Sequence, residues 1–336
     1  MDALLRSRDG TFDVDDLSRR HLAQPTIDDS GQRVRWEAWV RAYVALHQLL
    51  SPLHFEPRTP APPATGGMTL WCGTTVRSTA TTPPVTTWQS LVAIDRPAPT
   101  VFEKQVDLVL AWAELREERL TEILAQIDPQ FSFWASVVGL RADRHRHTVE
   151  LINLALQLAV YVEMRFKHAL ACLRPVELSA QVQPMITTPG HGSFPSGHAT
   201  QAYVVAHVLG ALLKLPTNDP ARVQLQRQAA RIATNRVVAG VHFPIDSVAG
   251  RLLGTTLGEY FVARCVAGSQ VPRRWLSCAS PLDGVEFDSD APLDGGSLYY
   301  TSLPGGPFGL DAPPLLQSMW TDAENEWAGR VPPVNA

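Results

Sequence analysis

Between Lys167 and Asp246 the chain sets out three strong cations, two histidines, a carboxylate and a Ser-Gly turn. They come as Lys167 and Arg174-Pro175, then Pro195-Ser196-Gly197-His198, then Arg236, His242 and Asp246. Nothing comparable stands elsewhere in the sequence. Such a set suits a tetrahedral or trigonal-bipyramidal oxyanion: cations neutralise its oxygens, one histidine bonds its central atom and the other moves protons. Lys167 and Arg174 are seven residues apart, nearly two helical turns. Their side chains therefore leave one helix face about 10 Å apart along the axis, and their long stems let both heads converge on one anion. Taken alone, such a pair is an ordinary solvated face, and the Ser196 turn an ordinary helix cap. In combination they are not ordinary.

The elements that must position these residues are mostly helical. A turn opening a helix at Ser196 presents free backbone N–H groups and the positive end of the helix dipole. Gly197 lets an anion approach the backbone, and Ser196 adds a hydroxyl. Gly240 breaks one helix and Pro244 starts the next, which puts His242 at an inter-helix corner where Asp246 can hold its other ring nitrogen. Helical spacing of apolar residues predicts helices at about 33–50, 101–128, 145–173, 197–214, 220–239, 245–267 and 313–328. Residues 51–100, rich in Pro, Thr and Gly, read as irregular, with at most a short strand or two around Trp71 and Trp88. The expected fold class is all-α, a helical bundle. Its expected parts are an N-terminal helix with an irregular segment (1–100), a helical-bundle core (101–270) and a loop-rich C-terminal wrap (271–336).

In order, K-x6-R-P, P-S-G-H and R-x5-H-x3-D resemble the three-part signature of a known superfamily. It joins type 2 phosphatidic-acid and class A acid phosphatases to vanadium-dependent haloperoxidases, and the likeness covers about residues 167–258. The resemblance implies a helical bundle of that type. It also implies that Lys167, Arg174 and Arg236 neutralise the equatorial oxygens, while Ser196 and the Gly197 N–H add hydrogen bonds. In a haloperoxidase the anion is vanadate, ligated by His242, and His198 moves the protons of peroxide as halide is oxidised. In a phosphatase there is no cofactor: His242 attacks phosphorus, His198 protonates the leaving alcohol and Asp246 orients His242. His191 stands where bromoperoxidases of the superfamily carry a histidine behind those that touch the anion, and Pro195 to Gln201 resembles their local sequence; with the long segment before Lys167 and the lack of a signal or membrane-spanning pattern, these favour the haloperoxidase branch. Two positions depart from the pattern: Asn235 replaces the Ser common in phosphatases, and Met164 the tryptophan of chloroperoxidases.

Composition narrows the rest. The 336 residues are 45% hydrophobic and 18% charged with net charge −4, which fits a globular chain and gives no reason to expect nucleic acid as a partner. The expected partners are small: peroxide and halide, or a phosphate ester. The composition is compatible with a homo-oligomer. Cys72, Cys172, Cys265 and Cys278 are scattered, as in a reducing compartment. No secretory signal pattern stands at the N-terminus, and the apolar stretch Leu151 to Val162 is too short to span a bilayer. A soluble, cytoplasmic protein is expected. Asp288-Ser289-Asp290 lacks the Gly and Glu of a calcium loop, and no P-loop, Rossmann or zinc pattern is present.

Overall fold

The computed structural model describes residues 35–76, 85–128, 130–279 and 282–329. After helix α1 (Ala38–Leu50) come strands β1 (Leu53–Arg58), β2 (Gly67–Val76) and β3 (Val85–Asp95). Helices α2 (Pro99–Trp112), α3 (Arg116–Ala125), α4 (Phe131–Val138), α5 (Arg146–Leu170) and α6 (Pro175–Leu178) follow. The site region is built by α7 (Gly197–Leu212), α8 (Pro220–Val238) and α9 (Pro244–Cys265). The chain closes with β4 (Gln270–Val271), β5 (Arg274–Leu276), β6 (Tyr300–Ser302), β7 (Phe308–Gly309) and α10 (Pro314–Asn325).

Local chemistry explains most helix ends. Proline stands in the first turn of α2, α6, α8, α9 and α10, where its missing N–H costs nothing. Asp219 caps α8 by accepting from Ala221 N, and Ser196 caps α7 by accepting from Ala199 N. The first turn of α5 is capped from the other end of the chain. The Glu326 carboxylate accepts from His147 N (2.8 Å) and Thr148 N (2.9 Å), and it also takes the Thr148 hydroxyl.

Helix α7 is buried along most of its length and packs against α5, α8 and α9. Its closest neighbour is α9, and small residues permit the approach. A Cβ on Gly250 would lie 2.7 Å from Ser196 O, one on Gly258 2.7 Å from His207 Cβ, and one on Gly254 would collide with Thr200 O. This packing brings the N-terminal ends of α7 and α9 together: Ser196 N donates to Asp246 O (2.9 Å).

The expectation of an all-α fold is overturned by a mixed five-stranded sheet of order β1-β2-β3-β5-β6. Strands β1 to β3 form an antiparallel meander within the stretch read as irregular, and β3 pairs in parallel with β5. Its alternation is hidden for physical reasons. The β2–β3 register slips at Leu70/Trp71, and Leu91 to Asp95 are buried without a break, as in a strand covered on both faces. Strands β5 and β6 are three residues each and exist only through pairing with distant chain. The single helix expected over 101–128 is broken by a 3-10 turn at Ala113–Leu115. Beyond it Leu120, Leu124 and Ile127 are exposed and only Ile123 turns inward. Among the described residues, no helix is long and apolar enough to cross a membrane.

Candidate active site

The structure brings the sequence-predicted residues to one place, where the ends of α5, α7, α8 and α9 meet the loop before α7. Lys167, Arg174, Ser196, Gly197, Arg236, His242 and Asp246 are all buried, His198 is half-buried and His191 lies exposed at the rim. A cleft of about 430 Å³ opens beside Arg174, Glu177, Thr188 and His191.

Two of the three cations hold protein. Lys167 Nζ donates to the carbonyls of Gly192 (3.1 Å), Ser193 (2.9 Å) and Pro195 (2.6 Å), which uses its three protons. Arg174 Nε donates to His191 O (3.1 Å), Nη1 to Val241 O (2.7 Å) and His242 Nε2 (3.1 Å), and Nη2 to His191 Nδ1 (3.1 Å) and Gly192 O (3.3 Å). These bonds fix the 191–195 loop. Arg236 is different. Its Nη2 donates to Ile123 O (3.1 Å) and Gln126 Oε1 (3.2 Å), while Nε and Nη1 are buried with no hydrogen-bond partner.

The histidine tautomers follow from their partners. Arginine can only donate, so His242 Nε2 accepts, and the ring proton sits on Nδ1 and is donated to Asp246 Oδ2 (2.8 Å). The same Oδ2 accepts from Phe243 N (3.0 Å), and Oδ1 accepts from Ser193 Oγ (3.4 Å). Burial, then the fields of Arg174 and Lys167, hold His242 well below the usual imidazole range, so Nε2 keeps its lone pair. Burial pushes the Asp246 carboxyl up, and the Phe243 N–H and the nearby cations pull it back.

His198 Nε2 donates to the backbone carbonyl of Gln126 (3.1 Å), which leaves Nδ1 as its proton-accepting atom. Burial and then Arg236 lower it to about 4. Burial also lowers Arg236, to about 10. His191 is lowered as well, mainly by desolvation.

Sequence reasoning missed Gln126, Glu163 and Ser193. Gln126 holds His198 through its backbone carbonyl, while its side-chain oxygen accepts from both Arg236 and Asn235 Nδ2 (3.0 Å). It lies forty-one residues before Lys167, the first motif residue, so no local pattern points to it. Glu163 directly follows the apolar stretch Leu151 to Val162 and belongs to none of the three motifs. Ser193, whose hydroxyl reaches Asp246 Oδ1, stands two residues before Pro195 and carries no signal of its own in the sequence.

Residues 150–268 match the PAP2 superfamily model. A vanadium-dependent bromoperoxidase from Ascophyllum nodosum is 31% identical over 94 residues, covering 21% of this chain and 17% of that protein. A decaprenylphosphoryl-5-phosphoribose phosphatase from Mycobacterium tuberculosis is 37% identical over 73 residues, covering 22% of this chain and 37% of that protein. The chain thus spans well under half the length of these curated relatives. Among solved structures, a transmembrane PAP2 type phosphatidylglycerolphosphate phosphatase from Bacillus subtilis aligns with TM-score 0.28 at 17% identity, over 47% of this chain and 91% of that one. Over residues 150–268 the chain carries a PAP2 superfamily domain, of the superfamily that includes phosphatases and vanadium haloperoxidases.

Proposed function

We propose that the protein is an oxyanion-dependent enzyme of the vanadium haloperoxidase kind, oxidising halide with hydrogen peroxide. The observation that carries the oxyanion reading is Arg236, whose Nε and Nη1 are buried without an acceptor. Leaving buried N–H groups unpaired costs roughly 1–3 kcal/mol each, and an anion with several oxygens relieves that cost. The field of Arg236 reaches His242, so its unpartnered N–H groups belong to the same site as His242 Nε2, whose lone pair Arg174 Nη1 meets until an anion displaces it. That donor set fits vanadate. His242 would ligate it, and Arg236, Lys167, Arg174 and the first-turn N–H groups of α7 would neutralise its oxygens. When bound, vanadate would supply the Lewis-acid centre at which peroxide is activated.

The chain's own residues do the rest. Asp246 keeps the His242 proton on Nδ1 and so directs Nε2 at the anion. His198, held neutral, offers Nδ1 to take a proton from peroxide. In the anion-free site this state suits proton acceptance from peroxide, whereas ester cleavage begins with proton donation to the leaving alcohol and needs the imidazolium form. The likeness to the Mycobacterium tuberculosis phosphatase keeps a second reading open. In it His242 Nε2 attacks a phosphomonoester, the P–O bond to the alcohol breaks, and water later releases phosphate from the phosphohistidine. A bound phosphate dianion would raise His198 toward the charge it needs.

Purified protein given orthovanadate, peroxide and bromide is expected to halogenate an acceptor, and His242→Ala to abolish it. Aryl-phosphate hydrolysis that vanadate inhibits, with no halogenation, would overturn the preferred reading in favour of the second. Neither activity in the wild type would overturn both.

A further inference from the structure

Glu163 belongs to none of the three motif elements, yet it is 1% exposed on α5, one turn before Lys167. Its Oε1 accepts a hydrogen bond from Gln201 Nε2 on α7 (2.9 Å), and its Oε2 is buried with no hydrogen-bond partner. The carboxyl lies against the turn that opens α7: a Cβ on Gly197 would sit 2.7 Å from Oε1 and 3.4 Å from Oε2. Among the described residues, Lys167 is the charged group that acts on it, and α7 contributes only the Gln201 amide and the Gly197 backbone. Lys167 gives its three protons to backbone carbonyls, so the two interact through space and make no hydrogen bond.

This placement sets up a conflict of charge. A buried carboxylate beside the Gly197 turn opposes any anion that approaches the same turn, and it competes for the field of Lys167. A neutral carboxyl opposes nothing, and its O–H gives the unpartnered oxygen a donor role. We propose that Glu163 is a positioning residue that couples anion capture to proton uptake: the site takes its oxyanion together with a proton, and this carboxyl holds it. The inference rests on the reading of the site as an oxyanion site.

The sign follows from the carboxyl's position on the pH scale. Burial pushes Glu163 up to about 7, against the pull of Lys167, and a bound dianion raises it further. Well below that pH the carboxyl is already protonated and capture takes up nothing. Above it, each anion brings a proton in, so affinity falls as pH rises, by up to about tenfold per unit.

Tungstate is a suitable probe, being a tetrahedral dianion that does not itself titrate near neutrality. Calorimetric titration at about pH 8, in buffers of different ionisation enthalpy, counts the protons taken up. Wild type is expected to take up about one proton more per tungstate than Glu163→Gln, and the variant's affinity is expected to lose most of its pH dependence. Equal uptake by the two proteins would overturn the role of Glu163. Failure of the wild type to bind tungstate at all would instead overturn the oxyanion reading beneath it. Should Glu163→Gln not fold, the infrared difference spectrum of wild type labelled with ¹³C at its glutamate carboxyls decides. A protonated glutamate C=O band gained with tungstate is expected, and its absence would overturn the proposal.

Discussion

Arg174 decides which nitrogen of His242 carries the proton, and Arg236 offers the N–H groups that an anion in the site would meet. Because Arg174 Nη1 can only donate, His242 must carry its proton on the side of Asp246. Arg236 spends one amino group on Ile123 and Gln126 and keeps Nε and Nη1 free of protein acceptors. Arg236→Lys keeps the charge and removes the planar fork. With hydrogen bonds to charged groups each contributing about 1.5–3 kcal/mol, tungstate affinity measured by calorimetry is expected to fall roughly 10–100-fold. Unchanged affinity would mean that charge alone holds the anion. His198 gives a prediction in pH. Its folded value is depressed to about 4, so the base form is present above that pH and lost below it. A nuclear magnetic resonance titration of the His198 ring in the anion-free protein should therefore show protonation only around pH 4, and a midpoint near the ordinary imidazole value, around 6.5, would contradict a neutral His198. The charged residues of this site were legible in the sequence because their types and spacing are unusual. Gln126 and Glu163 were not, since one acts on His198 through a backbone carbonyl and the other sits within an apolar helix face.

At the scale of elements, the site depends on how closely two helices approach. Gly250, Gly254 and Gly258 recur every fourth residue along α9 and face Ser196, Thr200 and His207 of the α7 segment. This contact sets Asp246 O within hydrogen-bond reach of Ser196 N, and so places the His242 corner against the Gly197 turn. Gly254→Ala would drive a methyl group into the Thr200 carbonyl, which is backbone and can move only with its helix. The expected cost is about 1–3 kcal/mol, read as a lower Tm, together with weaker tungstate binding because the two helix ends part. A variant as stable as wild type would show that the helices have room to spare. Most helices were readable from periodicity, from Pro244 as a start and from Ser196 as a cap, whereas the short α4 and α6 were not. The sheet was not: β2 slips register, the end of β3 is buried without alternation, and β5 and β6 are too short to carry a pattern. Those strands are specified by partners far away in the chain, which a local reading cannot see.

Across the whole molecule, the sheet makes the two flanks of the helical core depend on each other. Val92, Ala93 and Ile94 of β3 pair with Arg274, Trp275 and Leu276 of β5. Arg58 from β1 lies over the Trp275 ring (4.5 Å to its centroid) and pairs with buried Asp95 (3.3 Å). The same C-terminal stretch reaches the helices that carry the site. Tyr300 Oη donates to Val248 O (2.6 Å) on α9, Arg251 Nη1 donates to Ala291 O (2.7 Å), and Arg274 pairs with Glu259 of α9 and with Asp294. From the other flank, Tyr260 Oη donates to Leu49 O (2.6 Å) at the end of α1. A fragment of residues 99–270 would keep every motif residue and lose all of these contacts. It would expose the buried face of α9 and leave Glu259 without its arginine, and exposed apolar surface of that kind drives association. Expressed alone, the fragment is therefore expected to aggregate or to melt without a cooperative transition, and not to bind tungstate. A monomeric fragment with a sharp transition and wild-type tungstate affinity would show that the sheet is an accessory to the site. The opposite result would mean that the α9 end of the site is held in place from both flanks of the chain, so that the oxyanion geometry is a property of the whole fold and not of the three motifs.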